Sequence, residues 1–339
     1  RARATMMPAT MLDGHLLACP PRIRQAFIEA GFNNVHDVAQ LSAAELAKEI
    51  QCAPEEAQFV IDLAKSKALG VSFGAPVTFR TALDLFENPR PRIPVGVPRL
   101  DAALGGGISS GQVTEICGPP GAGKTQISML LCAMALRGDP TASALYIDTE
   151  GSFVPERVEE IAARVASSAA ASSAEQETTP SAGGPFAPNQ LLSQIEYVRI
   201  HSQVEQLALI RDLAEHLDAH RNVRLVVLDS IAFHMRQDNQ DLNKKQHALT
   251  NMFHLLTRLA HDKNCAVCVT NHITVRKVDD NKAKLVPALG DLWAHVPAER
   301  FFVYNSDDNF RGLLLHKSPS SPQILVDLNK ELRVLFAPS

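Results

Sequence analysis

The chain has 339 residues, 45% of them hydrophobic, which is enough for two domains with a real core. Its formal net charge of −4 excludes a whole-protein positive field drawing it to nucleic acid, so any such contact must come from local loops. The basic start, Arg1 to Pro8, leads into no apolar secretory signal, and no uncharged stretch approaches the roughly 18 apolar residues of a membrane span.

Residues 1–12 read as a flexible tail and 13–70 as a small helical lobe. Pro21 to Gly31 gives a helix with a glycine stop, and Val35 to Leu41 a second. Ser42 with Glu45 forms a capping box that opens a third, and Pro54 starts a fourth. The arrangement resembles a helix-hairpin-helix lobe. Such hairpins hold DNA phosphates on a glycine-containing turn, but Ile50 to Pro54 contains no glycine. Packing or partner docking is therefore favoured over DNA binding for this lobe. Residues 71–98 read as a linker, because Pro89, Pro91, Pro94 and Pro98 prevent any long regular element. Phe79 and Ala82 lie inside it. An aromatic in such a place either packs on its own domain or anchors a neighbouring subunit.

Residues 99–339 alternate strand and helix, which predicts an α/β core with a mainly parallel sheet. Val113 to Cys117 is an apolar strand, and Ile127, Leu130, Leu131 and Met134 mark the helix that follows. Between them runs Gly118-Pro119-Pro120-Gly121-Ala122-Gly123-Lys124-Thr125, every fixed position of a P-loop in the strand–loop–helix setting it requires. Its backbone N–H groups and the helix N-terminus make an anion nest. Lys124 is placed to neutralise the β- and γ-phosphates, and Thr125 to ligate Mg²⁺. The sequence thus implies binding of ATP or another nucleoside triphosphate.

Leu145 to Asp148 is the next strand, and Glu150 follows at its carboxyl end, where it is the best placed acid to activate an attacking water. Pro155 opens a helix. Residues 167–188, mostly Ser, Ala, Thr, Pro and Gly, read as a flexible insertion. Ile195 to Ile200 is a strand and Val204 to Leu217 an amphipathic helix. Leu225 to Leu228 reads as a buried strand ending in Asp229, which behind a P-loop is the Walker B acid that holds Mg²⁺. A polar segment, 233–241, then precedes a helix from Leu242 to about Ala260. After the strand Cys265 to Thr270 comes a second polar loop, Thr274 to Lys284. Arg236 in the first loop and Arg276, Lys277, Lys282 and Lys284 in the second either hold nucleic-acid phosphates or are simply solvated. Cys265 and Cys268 have zinc-like spacing, but no second pair completes a site and strand positions three apart face opposite ways. All six cysteines read as reduced and structural, in an intracellular protein.

In combination, Lys124-Thr125-Gln126, Asp148 to Phe153, Asp229 to Phe233 and Val286 to Trp293 resemble the eukaryotic RecA-type recombinases, nearest to a non-filament-forming mediator of that family. The resemblance covers about residues 13–335. It implies an ATPase of homologous recombination, acting in double-strand-break and crosslink repair. It further implies a hetero-oligomer with sister paralogues that serves the main strand-exchange recombinase on single-stranded or branched DNA. The nucleus, and also the cytoplasm, is the implied location.

By the same resemblance Glu150 is the water-activating acid, and Gln126 and Arg157 belong to the ATP site, Arg157 stacking on adenine. Segments 233–241 and 274–284 match the family's two DNA loops, and Phe79 with Ala82 its subunit-linking motif. Lys317 and Pro319 fall where the family caps a neighbour's ATP across the interface. Two departures stand out. His272 replaces the usual glutamine that senses the γ-phosphate, and the first loop is short and poor in glycine and base. Both argue for slow hydrolysis, with assembly as the main output.

Overall fold

A computed structural model of the chain describes residues 41–54, 56–58, 60–61, 81–137, 139–173, 188–220, 222–236, 242–279, 282–305 and 310–332, together with Ala26 and Ala30. The chain divides into two units, Arg1–Glu87 and Asn88–Ser339.

In the first unit, helix α1 (Ala43–Glu49) starts on the expected capping box. The Ser42 N–H donates to Glu45 Oε2 at 2.8 Å, and the Glu45 N–H donates to Ser42 Oγ at 3.3 Å. A cap of this kind contributes about 1 kcal/mol. The described positions from Pro54 to Ile61 are helical, and Leu46, Ala57, Val60 and Ile61 are buried. Gln51 turns the chain between the helices at φ 51°, the left-handed geometry that the missing glycine would have taken. Helix α2 (Ala82–Glu87) occupies part of the expected linker. Thr81 caps it by accepting from the Asp84 N–H at 3.0 Å, and Asp84 Oδ2 accepts from the Thr81 N–H at 2.9 Å. The sequence-expected helices at 21–31 and 35–41, and Phe79, lie outside the described residues apart from Ala26 and Ala30.

The second unit begins earlier than its sequence suggests. Strand β1 (Arg92–Ile93) pairs with β2 (Ile108–Ser109), and Ile93, Val95 and Val97 are buried in the core. Residues 88–98 are thus part of the α/β unit and not linker; the prolines punctuate short elements without excluding them. Helix α3 (Pro98–Ala103) follows β1. The main sheet has eight strands in the order β12-β11-β10-β3-β7-β6-β4-β5. These are β3 (Val113–Cys117), β4 (Ser143–Asp148), β5 (Ile195–Arg199), β6 (Val223–Asp229), β7 (Ala266–Asn271), β10 (Glu299–Asn305), β11 (Arg311–Lys317) and β12 (Ile324–Asp327). From β10 to β5 every pairing is parallel; β11 and β12 extend the sheet antiparallel.

Helices cover both faces, as near-continuous apolar strands require. On one face α4 (Lys124–Leu136), α5 (Pro155–Ser173) and α6 (Pro188–Ser193) pack over Ile116, Tyr146, Val227 and Cys268. On the other, α7 (Gln203–Ala219) and α8 (Leu242–Lys263) pack over Ile147, Val226, Leu228 and Val267. Cys268 enters the first core and Cys265 the second, so the two thiols part as strand alternation demands. Burial pushes the Cys265 thiol up to about 11 and Cys132 to about 12, which leaves both unreactive.

Two further expectations change. Helix α5 continues seven residues into the segment read as a flexible insertion, because Ala169, Ala170 and Ala171 favour helix strongly. The second polar loop is a hairpin of β8 (Ile273–Asp279) and β9 (Lys282–Pro287). Thr274 faces Val286 and Val275 faces Leu285 across it, so cross-strand pairing of β-branched and apolar residues overrides a polar composition. Helices α9 (Gly290–His295) and α10 (Leu328–Glu331) complete the unit. No helix among the described residues is long and apolar enough to cross a membrane.

Candidate nucleotide-binding site

The parallel strands β3, β4, β6 and β7 all end at one edge of the sheet, which places the residues that follow them along a single crevice. After β3 the chain enters the P-loop. A Cβ on Gly118 would sit 2.2 Å from the Val303 carbonyl oxygen of β10, so only glycine fits there. Gly123, at φ 107°, turns the chain into α4, which starts at Lys124. The Lys124 ammonium is buried and donates to the carbonyls of Gly118 at 3.1 Å and Pro119 at 2.9 Å. Burial lowers its pKa, opposed by the charges of Asp229 and Glu150. A cation resting on two neutral carbonyls inside an anion nest exchanges them readily for phosphate oxygens.

Asp229, at the end of β6, is 2% exposed. Its Oδ2 accepts from Thr125 Oγ1 and from the Tyr146 hydroxyl, both at 2.7 Å, and its Oδ1 from the Thr270 hydroxyl. Burial raises the Asp229 pKa, and these three donors pull it back. The Thr125 hydroxyl beside a buried carboxylate is an all-oxygen donor set, the kind that hard cations such as Mg²⁺ take, with water between metal and carboxylate.

Glu150 is held by the acid that precedes it. Asp148 Oδ1 accepts from the N–H of Glu150 at 3.0 Å and of Gly151 at 2.7 Å, and its Oδ2 from that of Phe153 at 3.2 Å. Arg199 ion-pairs with the same carboxylate at 3.1 Å. The turn so fixed aims Glu150 at the residues after β6 and β7. Its Oε1 accepts from Ser230 Oγ at 2.5 Å and lies 2.8 Å from His272 Nε2. The hydrogen bond from His272 is the main reason the Glu150 pKa lies below the ordinary range; burial opposes it and Ser230 adds to it. The Asp229–Ser230 peptide is cis.

The crevice therefore gathers Gly118 to Thr125, Glu150, Asp229 and His272. Arg157, in the first turn of α5, donates through Nε to Gln126 Oε1 at 2.6 Å, which brings those two predicted residues together as well. Tyr146, Thr270, Ser230 and Asp148 complete the site without having been singled out in the sequence. For Tyr146 and Thr270 the available signal was a polar side chain inside an apolar strand run; Asp148 and Ser230 stand at or just after a strand's carboxyl end.

Lys317 and Pro319 are not part of this chain's own crevice. Lys317 pairs in register with Arg300, toward the end of β10 away from the P-loop. Its ammonium donates to the carbonyls of Ala294, His295 and Pro297 at 3.1, 3.4 and 2.6 Å, around the C-terminus of α9. Burial lowers its pKa. Pro319 is exposed two residues further on. Ala82 is exposed at the start of α2. Arg236 lies in a short 3-10 turn after β6, Arg276 is exposed on β8, and Lys277, Lys282 and Lys284 occupy strand positions in the hairpin.

Residues 91–278 match the family model described as AAA domain. The chain is 34% identical over 316 residues to DNA repair protein RAD51 homolog 3 of Cricetulus griseus, covering 89% of this chain and 86% of that protein. It is 32% identical to the Dictyostelium discoideum protein of the same name over 226 residues, 65% of this chain and 59% of that one. To DNA repair and recombination protein RadA of Metallosphaera sedula it is 29% identical over 304 residues, 87% and 86% of the two chains. A P-loop at the mouth of a parallel sheet, with these relatives along most of its length, leads to one conclusion: the chain belongs to the RecA-type recombinase family, as one of its RAD51 paralogues.

Proposed function

We propose that this protein is an ATP-binding, slowly hydrolysing subunit of a recombination mediator, corresponding to paralogue C of the family. In this reading it assembles with sister paralogues in the nucleus, and also in the cytoplasm, and helps load the main recombinase on single-stranded DNA in break and crosslink repair. Lys124 leaves its two carbonyls for the β- and γ-phosphates, while Gln126 and Arg157 border the base. Thr125 and Asp229 hold Mg²⁺, which when bound neutralises charge developing on the phosphates. Glu150 orients the attacking water and takes its proton. Arg236 and the hairpin residues Arg276, Lys277, Lys282 and Lys284 meet the DNA backbone. Phe79 and Ala82 anchor a partner. Lys317 and Pro319 meet a neighbour's nucleotide, for which Lys317 exchanges its own carbonyl acceptors.

The observation that carries the reading is the meeting of Glu150, Ser230 and His272 beside the Thr125–Asp229 pair. It also favours the alternative, in which ATP glues a paralogue interface with negligible turnover. Glu150 Oε1 is already engaged by two donors and its pKa is lowered, which makes it a weak base. The test is ATP turnover by the chain with a sister paralogue, with and without single-stranded DNA. DNA-stimulated turnover supports the hydrolysing mediator. Tight binding with no turnover under either condition leaves the scaffold reading.

A further inference from the structure

Helix α7 carries His216 in its last turn and His220 at its C-cap, four residues on, which places both on one side of the helix end. Glu196, the second residue of the edge strand β5, adds a carboxylate. Ligand atoms of the three side chains all lie within 4.8 Å of one another. His216 Nε2 is 2.8 Å from Glu196 Oε2, and the two imidazoles stack with centroids 4.4 Å apart. His220 Nδ1 lies 3.0 Å from the His216 carbonyl oxygen, so that nitrogen carries the proton and Nε2 keeps its lone pair. This is the outer hydrogen bond that orients a metal-binding histidine. Because β5 starts and α7 ends away from the P-loop edge of the sheet, the cluster is separate from the nucleotide crevice.

We infer that Glu196, His216 and His220 form a site for a zinc-class divalent ion, with the fourth position open to water. Two imidazoles and one carboxylate suit a borderline transition metal and not Mg²⁺ or Ca²⁺. Metal–ligand lengths of about 2.1 Å put tetrahedral ligands about 3.4 Å apart, a spacing that small rotations of these side chains reach. The α7 C-terminus directs its carbonyls and its negative dipole end at the same place, which favours a cation there. Glu196 and His216 are half-buried and His220 is exposed, so one coordination position faces solvent. The ion ties β5 to α7. Strand β5 is a sheet edge, paired only with β4 among the described strands, and the ion strengthens the Glu196–His216 contact that joins it to α7.

The test uses the full, metal-free chain without nucleotide, in excess Mg²⁺ so that hard oxygen sites are filled. Zn²⁺ is titrated against a chelating indicator, and thermal unfolding is followed in parallel. The expected result is one tightly bound equivalent and a Tm that rises by several degrees. Substituting Co²⁺ should give the intense visible absorption of a four-coordinate site. His220→Ala, whose ring bonds only its own helix, and Glu196→Gln should each weaken binding by about 10- to 100-fold or more and remove the Tm rise. His261→Ala, beyond the cluster, should change neither. Zn²⁺ affinity unchanged in His220→Ala, or binding without any rise in Tm, would overturn the site and leave a simple His216–Glu196 ion pair.

Discussion

At the crevice edge of the sheet, Asp229 is buried but accepts from three hydroxyls, and Asp148 accepts from three backbone N–H groups and an arginine. At the far edge, Glu299 is 1% exposed, its Oε2 has no hydrogen-bond partner among the described residues, and its nearest cation is Arg92 at 3.8 Å. Burial pushes both Asp229 and Glu299 up. At Asp229 three donors oppose it; at Glu299 only the charge of Arg92 does, and its pKa rises to about 7. Between the edges, Glu115 in β3 shows the fully satisfied version. It accepts from Asn271 at 2.6 Å, from the Trp293 indole at 2.5 Å and from Arg300, its buried ion-pair partner. Similar burial is thus met by unequal numbers of hydrogen-bond donors. The crevice carboxylates are surrounded by donors that a carboxylate anion can accept from, and Glu299 is not.

The strongest way to break this contrast is Glu115→Ala. It leaves Arg300 charged and buried, takes the acceptor from the Trp293 indole and leaves the Asn271 amide with the Ala288 carbonyl, and should cost about 3–5 kcal/mol in urea unfolding. Glu150→Gln keeps the contacts of the crevice but removes its base. ATP turnover should fall by about 100-fold or more with nucleotide affinity retained. Glu299→Gln sharpens the comparison from the other side. With a folded pKa of about 7 against an ordinary 4.5, the native state binds the extra proton between those values. Stability conferred below pH 4.5 is therefore lost as pH rises to 7. The variant should flatten that decline and be more stable than the parent at pH 8 by up to about 3 kcal/mol, read from Tm against pH. The smallest effect belongs to His272→Gln. Removing the imidazole whose hydrogen bond is the main cause of the lowered Glu150 pKa should strengthen that base, raise turnover several-fold and move the acid limb to higher pH; an unchanged pH–rate profile would separate His272 from the base.

Much of the crevice was legible because its parts are short in sequence. The P-loop lies within eight residues, and Asp229 ends the uninterrupted apolar run Leu225 to Leu228. The partners of Asp229 were hidden because they depend on strand order. Tyr146 and Thr270 lie 83 and 41 residues away and meet it only because β4 and β7 flank β6. Lys317 shows the limit in another way: its motif was visible, but its engagement with the α9 carbonyls needs the antiparallel β10–β11 register. Local chemistry also outweighed composition at three places. Thr81 capped a helix within a proline-rich stretch, alanines carried α5 into a low-complexity run, and cross-strand pairing turned a polar loop into the β8–β9 hairpin.

Nucleotide binding at the P-loop edge should rest on Lys124, the one cation of that loop. Calorimetric titration of ATP with Mg²⁺ into the parent chain and Lys124→Ala tests it most directly. Affinity should fall by about 100-fold or more in the variant, with the unfolding temperature of the free protein unchanged or raised because a desolvated charge is gone. Equal ATP affinity in the two proteins would contradict it.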